Sequence, residues 1–489
     1  MCGIVGVIGS QGAPVVREIA NGAHFLQHRG QANAGLFILD PAHRTFRFEK
    51  GDGLADDIFK PLGAVPGDVG IAQTRYKTVG RGGRENAQPF HDAISGIALA
   101  HNGHVTNVAQ IAAELAKRGQ ALASDCDAEP LLRVLALWYD HYREADPVAP
   151  EPQIVLRAVG EVLERVMGAF SAVAVTRSGL YAFRDPHGFR PMALGRKESR
   201  SAGFVMVASE TIALEQNGYR VEEEVPRGTA LFIDRDLVCT RAVLLERTPM
   251  PCAFELMYFA DVESAMSGER IRSYRWRAGK ALAELVLETS PELVSEIDLV
   301  VPIPHSPIPG AEAFARTLER EVDTGIVQYA MPVSKYRYGG RIFMEETQEA
   351  RNEAAMLDLR LDAKAVEGKA VFLVDDSIVR GTNAAHIVTA LRRAGVRKVF
   401  FGTLWPMVID SCFQGIDTPT QMELIGARFA ASVENVRLAL GVDALFYMPE
   451  ERFRHRVIKD APACMACVDG HRAVRFAYPG AVLPPIPGS

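Results

Sequence analysis

The 489-residue sequence has little of several features that would assign it to a special class of protein. It contains no run of about 18 uncharged apolar residues, which excludes a helix that spans a membrane. It has only 7 cysteines, an odd number, and its amino-terminal stretch lacks the basic and apolar regions of a signal peptide. Its formal net charge of −6 argues against a general nucleic-acid binder. We therefore expect a cytoplasmic protein with neither a membrane nor a nucleic acid as partner.

The rest of the composition is that of a folded protein with more than one core. Hydrophobic residues make up 48% and charged residues 23%, which is ordinary for a globular protein. A chain of 489 residues exceeds what one hydrophobic core supports, so we expect at least two domains. The Pro-rich end, residues 483–489, is expected to fray.

The first residues, Met-Cys-Gly-Ile-Val-Gly, place a cysteine directly after the initiator methionine. Removal of Met1 would give Cys2 a thiol and a free α-amino group on the same residue. An α-amino group ordinarily has a pKa of about 7.7–8.0, so its neutral fraction can take the proton of the thiol. A cysteine at this position can also be an accident of the start codon, and the residues that follow decide between the two interpretations.

Four short motifs in the next part of the chain could serve such a nucleophile. They are LQHRGQANAG with His28, Arg29 and Gly30, TRYKTVG with Arg75, HNGHVTN with Asn102 and Gly103, and SDCDAEPLL with Asp125. Taken alone, an arginine of this kind is typical of a surface ion pair, the aspartate of a helix cap and Asn-Gly of a turn. Together and in this order they resemble the class II, N-terminal-nucleophile glutamine amidotransferases over roughly residues 1–240.

This resemblance implies a role for each motif in the cleavage of glutamine. Cys2 would attack the side-chain amide. Arg75 would hold the α-carboxylate by a bidentate pair, and Asp125 would hold the α-ammonium group. The Asn102 side chain and the Gly103 backbone N–H would stabilise the tetrahedral oxyanion. The products would be glutamate and ammonia.

A second cluster, VFLVDDSIVRGTN at residues 371–383, predicts a buried strand, a tight turn and an amphipathic helix. The N–H groups at a helix N-terminus bind phosphate, and paired carboxylates suit ribose hydroxyls or Mg²⁺. An ordinary turn with two solvated aspartates is the alternative. The run resembles the phosphoribosyl pyrophosphate (PRPP) motif of type I phosphoribosyltransferases, which implies that PRPP is bound by Asp375, Asp376, Ser377, Arg380, Gly381, Thr382 and Asn383.

Both motifs in one chain resemble the amidophosphoribosyltransferase family. Further runs agree with it over nearly the whole chain: RDPHGFRPMALG (184–195), ASETIALE (208–215), CAFELMYFA (252–260), VPIPHS (301–306), SKYRYGGRIF (334–343) and QEAR (348–351). The resemblance implies the first step of purine synthesis, in which ammonia from glutamine adds to the anomeric carbon of PRPP to give phosphoribosylamine. It also implies that Ser306, Asp375 and Asp376 hold Mg²⁺, that residues 334–343 close over PRPP, and that the chain forms a homo-oligomer, either a dimer or a tetramer.

The pair Cys464 and Cys467 forms a C-x-x-C motif near the end of the chain. Alone, the motif could be a redox pair or half of a zinc site. The resemblance implies that Cys252 and Cys412 complete four ligands to a 4Fe–4S cluster. A four-thiolate zinc site and a purely structural set of thiols are the alternatives.

Three residues on the PRPP side depart from the family pattern. His305 precedes Ser306 where an acidic residue is usual, Asp358 aligns with a lysine that meets pyrophosphate, and Asn383 replaces a threonine. These departures leave two alternatives open. One is a diverged paralogue that delivers ammonia to a different acceptor in specialised metabolism, and the other is a non-catalytic sensor of PRPP or nucleotides.

The pattern of strands and helices changes near the middle of the chain. Short alternating strands in the first half suit an αββα Ntn-hydrolase sandwich. Alternating strands and helices in the second half predict a mostly parallel sheet with βαβ crossovers. We therefore expect a glutaminase domain over residues 2–245 and a phosphoribosyltransferase domain, with the segment of cluster ligands, over residues 246–489.

Overall fold

The structure is a computed structural model, and the described part of the chain divides into two compact units. The described residues are 1–76, 83–199, 202–321, 328–331, 333–335, 359–412, 414–416, 420–470 and 480–485. The first unit comprises Met1–Pro251, Phe413–Asp417 and Arg472–Ser489, and the second comprises Cys252–Cys412 and Thr418–His471. Among the helices in these ranges, none is both long enough and apolar enough to cross a membrane.

The first unit is built on two antiparallel sheets. Its strands are β1 (Gly3–Gly9), β2 (Asn33–Asp40), β3 (Thr45–Asp52), β4 (Val69–Arg75), β5 (Phe90–Asp92), β6 (Ile97–Val105), β7 (Gly168–Thr176), β8 (Gly179–Arg184), β9 (Ala193–Glu198), β10 (Gly203–Ala208), β11 (Arg220–Glu224), β12 (Thr229–Ile233) and β13 (Cys239–Val243). Within the described residues, the strand orders are β11-β9-β10-β1-β4-β2-β3 and β13-β12-β8-β7-β6-β5. Strand β1 is therefore the central strand of the first sheet.

Helices cover the outer face of each sheet. They are α1 (Val16–Phe25), α2 (Ala55–Phe59), α3 (Val108–Ala116), α4 (Ala128–Ala145), α5 (Glu151–Arg165) and α6 (Thr211–Glu215), with short 3₁₀ turns at Ser10–Gly12, Gln27–Arg29, Lys60–Leu62 and Arg84–Asn86. Because side chains alternate along a strand, Val5 and Val7 of β1 join the core under the helices, while Ile4 and Ile8 pack between the sheets. The result is the predicted αββα sandwich.

The C-terminal residues 480–485 pack on the helical layer of the first unit. Val482 and Leu483 are 0% and 3% exposed and belong to the core under α3, α4 and α5. Trp138 Nε1 donates to the Val482 carbonyl at 2.9 Å, and the Glu114 carboxylate accepts the backbone N–H groups of both buried residues. The prediction of a frayed tail is therefore wrong for residues 483–485, because side chains of the helices satisfy this backbone.

The second unit is built on a parallel sheet. Its strands are β14 (Ala265–Met266), β15 (Glu269–Arg270), β16 (Leu299–Pro302), β17 (Gln328–Tyr329), β18 (Val333–Lys335), β19 (Leu359–Leu361), β20 (Ala370–Asp375), β21 (Lys398–Thr403) and β22 (Ala444–Tyr447). Its helices are α7 (Ile271–Thr289), α8 (Pro291–Val294), α9 (Ile308–Glu321), α10 (Ala363–Val366), α11 (Thr382–Arg393), α12 (Ile425–Arg428), α13 (Val433–Leu440), α14 (Glu450–Arg452) and α15 (Ala466–Asp469), with single turns at Glu255–Phe259, Gln421–Glu423 and Phe453–Val457. In the described residues the main sheet has the order β17-β16-β20-β21-β22, and every pair in it is parallel.

This sheet brings two predicted motifs to one edge. Pro302 at the end of β16 pairs with Val374 near the end of β20, so the segments that follow both strands leave the sheet side by side. Residues 371–374 of β20 are fully buried, as expected for a strand covered on both faces. The αββα sandwich and the parallel sheet together confirm the predicted fold class, while the assignment of activities to residues 2–245 and 246–489 stays a prediction.

Several predicted features lie outside the described residues. They are Asp358, residues 348–351 and all of the expected loop 334–343 beyond the end of β18.

Candidate active site

Cys2 lies at the start of the central strand of the first unit, and its side chain is buried. It is 5% exposed, and its backbone N–H donates to Asn102 Oδ1 at 3.0 Å. Its Sγ lies 3.6 Å from the carbonyl oxygen of Tyr76, directly after β4. Met1 is itself 1% exposed. Removal of Met1 would therefore free the α-amino group of Cys2 and also remove a buried residue.

The HRG motif fixes the backbone of the same cysteine. Arg29 is fully buried, and its Nε donates to the Cys2 carbonyl at 2.9 Å. Its guanidinium pairs with Glu210, whose carboxylate also lies 2.9 Å from His28 Nε2. A buried arginine needs such a partner, because an unpaired charge in the interior is costly. Sequence reasoning gave Glu210 no role, although its run ASETIALE was one of the signals of resemblance.

Asn102 and Gly103 lie near the end of β6, next to Cys2. Asn102 is fully buried, and its Oδ1 is used by the Cys2 N–H, yet its Nδ2 has no hydrogen-bond partner among the described residues. A buried amide donor without a partner is rare and calls for an explanation, such as a ligand. Gly103 cannot be replaced, because a Cβ there would lie 2.0 Å from the carbonyl oxygen of Ala169 on β7. The pair therefore offers an unused donor beside the thiol.

The carboxylate of Asp127, at the start of α4, contacts residues on both sides of Asn102 and Gly103. Its carboxylate accepts the Val105 N–H at 2.8 Å and lies 3.4 Å from His101 Nε2 and 3.7 Å from His104 Nδ1. Burial alone would raise the pKa of Asp127, but the two imidazoles and the backbone N–H outweigh it and hold that pKa below 3.8. Asp127 thus fixes both residues that flank Asn102 and Gly103. Sequence reasoning missed it, although it lies two positions after Asp125.

Arg75 and Asp125 differ in their surroundings. Arg75, at the end of β4, is 2% exposed, and its Nη1 donates to Asn33 Oδ1 at 3.3 Å. Asp125 is exposed, and its backbone N–H donates to Asn86 Oδ1 at 3.0 Å. Among the described residues, no hydrogen bond or ion pair engages the Asp125 carboxylate.

The neighbouring Cys126 connects these residues to the thiol. Burial raises the pKa of Cys126 to about 12, and the charges of Arg75 and Cys2 also act on it. Asp125 directly precedes Cys126 in the chain, and Asn86 holds the backbone N–H of Asp125.

In the second unit, two strand ends hold the predicted PRPP residues together. Ser306, after β16, donates its hydroxyl to the Asp376 carboxylate after β20. Ser377 Oγ donates to the same carboxylate at 2.7 Å, and the Asp376 backbone N–H donates to Asp375 Oδ1 at 2.8 Å. His305, which departs from the family pattern, is exposed.

The turn after these acids leads into α11. Gly381 has a φ of +83°, a left-handed conformation that favours glycine, and precedes the first helical residues Thr382 and Asn383. The N-cap residue is Gly381 itself, which has no side chain to cap the helix. Arg380 Nε donates to Glu423 Oε2 at 3.0 Å. The turn therefore presents backbone donors at a helix N-terminus, where an anion can bind.

The four predicted cluster cysteines gather in the second unit. Cys252 and Cys464 form an isolated parallel bridge, and the Cys467 carbonyl accepts the backbone N–H groups of Ile409 and Asp410, shortly before Cys412. Burial, then Cys412, Cys252 and Cys464, raise the pKa of Cys467, so all four thiols are within electrostatic range. In the described ranges, however, no group of three His, Cys, Asp or Glu side chains is arranged to hold a metal ion.

Comparisons with known proteins cover nearly the whole chain. A model of the glutamine amidotransferase domain matches residues 74–216. The chain is 33% identical over 469 residues to the amidophosphoribosyltransferase of Pasteurella multocida, covering 95% of this chain and 90% of the relative. It is 34% identical over 454 residues to that of Escherichia coli, covering 91% and 86%. The solved glutamine PRPP amidotransferase from B. subtilis, complexed with ADP and GMP, is 31% identical with a TM-score of 0.80 and covers 99% of both chains.

Proposed function

This chain belongs to the amidophosphoribosyltransferase family, and from that premise we propose which of its residues carry out the two half-reactions. It is an enzyme of the first step of purine biosynthesis. Its relatives favour this function over a diverged paralogue and over a non-catalytic sensor. One observation carries the proposed assignment of the residues: Asn102 holds the backbone nitrogen of Cys2 with its oxygen and keeps an unused N–H donor beside the thiol.

Cys2 is the proposed nucleophile for glutamine. Loss of Met1 turns the nitrogen that now donates to Asn102 into an α-amino group, held 3.0 Å from the same oxygen. The neutral amine takes the thiol proton, and the thiolate attacks the glutamine amide carbon. The protonated amine then returns its proton to the leaving ammonia. Water hydrolyses the resulting thioester to glutamate and restores the thiol.

The charges around this site suit the two ends of glutamine. Asn102 Nδ2 and the Gly103 N–H are proposed to stabilise the oxyanion of both tetrahedral intermediates. Arg75 is proposed to bind the α-carboxylate, and its burial strengthens such an ion pair. Asp125 is proposed to bind the α-ammonium group, since its carboxylate is exposed and unengaged by the described residues.

The second unit is proposed to hold PRPP across the ends of β16 and β20. The turn from Arg380 to Asn383 would bind the 5′-phosphate, and Asp375 would bind the ribose hydroxyls, with Ser377 and Asp376 nearby. Ammonia would then bond to the anomeric carbon as pyrophosphate leaves, and the nitrogen would lose one proton.

The carboxylates of Asp375 and Asp376 and the hydroxyl of Ser306 fit Mg²⁺, which prefers oxygen ligands and completes its shell with water and phosphate oxygens. When bound, the ion would neutralise the charge that develops on the leaving pyrophosphate.

We propose a 4Fe–4S cluster on Cys252, Cys412, Cys464 and Cys467. Its support is that Cys252, Cys464 and Cys467 are buried and that Cys252 and Cys464 form a backbone bridge. Iron and sulfide analysis of the purified protein should give about four of each per chain. Colourless protein with one zinc per chain would contradict the cluster.

The cellular location and the oligomeric state of the protein are also proposals. None of the seven cysteines, all of which lie in the described residues, forms a disulfide, which suits a reducing, cytosolic location. A homo-oligomer, dimer or tetramer, is proposed from the resemblance alone, and light scattering of the purified protein tests it.

One assay tests the proposed function as a whole. Purified enzyme receives glutamine and Mg²⁺, with and without PRPP, while glutamate and pyrophosphate are measured. We expect equal amounts of both products and dependence of both on PRPP. Glutamate without pyrophosphate would point to a different acceptor, and neither product would point to a sensor. The Cys2→Ala variant should lose the reaction with glutamine and keep the reaction with added ammonia.

A further inference from the structure

A row of three polar side chains crosses the first sheet beside the Cys2 site. Asn33 of β2 pairs in register with Arg75 of β4 on one side and with Asp52 of β3 on the other. Phe37, four residues along β2, packs in the layer between the two sheets, so Asn33 faces that layer as well. The row therefore lies on the face of the sheet that looks towards the second sheet.

Two hydrogen bonds connect the three side chains, with the donors on the Arg75 side and the acceptors on the Asp52 side. Arg75 Nη1 donates to Asn33 Oδ1 at 3.3 Å, and Asn33 Nδ2 donates to Asp52 Oδ1. A guanidinium can only donate and a carboxylate can only accept, so the Asn33 amide has a single orientation that satisfies both neighbours. Asn33 is 1% exposed and Arg75 is 2% exposed, while Asp52 is exposed. The amide thus connects a buried cation to a carboxylate at the surface.

A second cation makes this connection more important. Lys50 lies two residues before Asp52 on β3, with its Nζ 4.3 Å from the centre of the Phe90 ring. The pKa of Lys50 is lowered to about 8, mainly by burial and in part by the charges of Arg84 and Arg75, while Cys126 and Glu129 oppose this shift. Lys50 and Arg75 are therefore close enough to repel each other. The hydrogen bond from Arg75 Nη1 to Asn33 Oδ1 holds the guanidinium in place against this repulsion.

We propose that Asn33 and Asp52 are positioning residues for glutamine, which act by orienting the Arg75 guanidinium towards the substrate α-carboxylate. This inference rests on the proposed function of Arg75. Asp52 acts only through Asn33, because it touches the amide and not the arginine. Neither residue contacts the reacting amide of glutamine, so their loss weakens binding of the α-carboxylate equally in the ground state and in the transition state.

The expected effect is a change in KM for glutamine with little change in kcat. A hydrogen bond to a charged group contributes about 1.5–3 kcal/mol, so Asn33→Ala should raise KM at least about tenfold. Asp52→Ala should raise it less, because Asn33 keeps its contact with Arg75. The double variant Asn33→Ala/Asp52→Ala should resemble Asn33→Ala. The exchange Asn33→Asp/Asp52→Asn rebuilds both hydrogen bonds with the net charge unchanged and should restore KM.

Two alkylating reagents separate orientation of Arg75 from general damage. The first is 6-diazo-5-oxo-L-norleucine, which carries the α-carboxylate of glutamine, and the second is iodoacetamide, which does not. Modification of the Cys2 peptide is followed by mass spectrometry in the complete enzyme. Asn33→Ala should slow the diazoketone about tenfold and leave iodoacetamide unchanged. Asn107→Ala is the matched control, since Asn107 is a buried asparagine that connects Arg165 to Met167 in the same unit.

The results distinguish this inference from the assignment of Arg75 itself. If Arg75→Ala slows only the diazoketone while Asn33→Ala slows neither reagent, the inference is overturned and the proposed function stands. If Arg75→Ala slows neither reagent, the assignment of Arg75 fails and takes the inference with it. Equal slowing of both reagents in Asn33→Ala, or no restoration by the exchanged pair, assigns Asn33 a purely structural role and also overturns the inference.

Discussion

Replacing Asn102 tests the oxyanion site most sharply. In Asn102→Ala the intermediate loses the Nδ2 donor, and the Cys2 nitrogen loses the oxygen that now lies 3.0 Å away. Loss of one oxyanion donor costs about 100–1000-fold in kcat, or about 2.7–4 kcal/mol. Asn102→Asp keeps an oxygen for the Cys2 nitrogen, but it replaces the donor by a second carboxylate oxygen whose negative charge also disfavours the oxyanion. We therefore expect at least a 100-fold loss of glutamine-dependent turnover in both variants.

The assay compares pyrophosphate release with glutamine and with added ammonium chloride. Reaction with added ammonia does not need the cleavage of glutamine, so both variants should keep it within about twofold of the wild-type rate. Asn107→Asp, a change at another buried asparagine of the same unit, controls for general loss of packing. Retention of more than one-tenth of the glutamine-dependent rate in Asn102→Asp would refute the role of Nδ2.

Three further predictions concern stability. Glu210→Gln removes the charged partner of buried Arg29 and should lower the free energy of unfolding in urea by about 3–5 kcal/mol. A loss below about 1 kcal/mol would contradict the stabilising role of this buried ion pair. Deletion of residues 480–489 removes buried Val482 and Leu483, at about 1.5–3 kcal/mol each. The melting temperature should fall, and an unchanged value would mean that this segment does not stabilise the first unit. The lowered pKa of Asp127 contributes stability above pH 3.8 that is lost as the pH falls. Unfolding free energy should therefore fall less steeply with acid in Asp127→Asn, and parallel curves would refute this.

The fold class could be predicted because its signals are local. The run of β1, which contains no polar residue, predicts a strand buried on both faces. The apolar run followed by two acids and a glycine predicts β20 and the turn before α11. The resemblance to the amidophosphoribosyltransferase family is confirmed by relatives over nearly the whole chain. Such signals survive in a single sequence because each motif lies within about a dozen residues of chain.

The supporting residues of the site could not be predicted, because their partners are distant in the chain. Glu210 pairs with Arg29 across 181 positions, and Asn33 meets Arg75 across 42. In each pair, the sequence around one residue does not indicate which residue will be its partner. The register of β2 and β4 brings Asn33 to Arg75, and that register is a property of the folded sheet. Arg29 and Glu210 lie outside the strands and meet only through the tertiary fold.

The C-terminal segment shows how tertiary contacts overrule composition. Proline-rich ends usually fray, because they form few backbone hydrogen bonds. Here Glu114 and Trp138 supply hydrogen bonds to this segment, and its two apolar side chains enter an existing core. The segment is ordered because Val482 and Leu483 join the core under α3, α4 and α5. No pattern within residues 480–485 indicates that contact.

Mass spectrometry of the mature amino terminus tests the central claim most directly. We expect that fully active enzyme begins with Cys2 and that one equivalent of a glutamine-like diazoketone, bound to the Cys2 sulfur, abolishes glutamine turnover. Fully active enzyme that still carries Met1, or full inactivation with the label on a different residue, would contradict it.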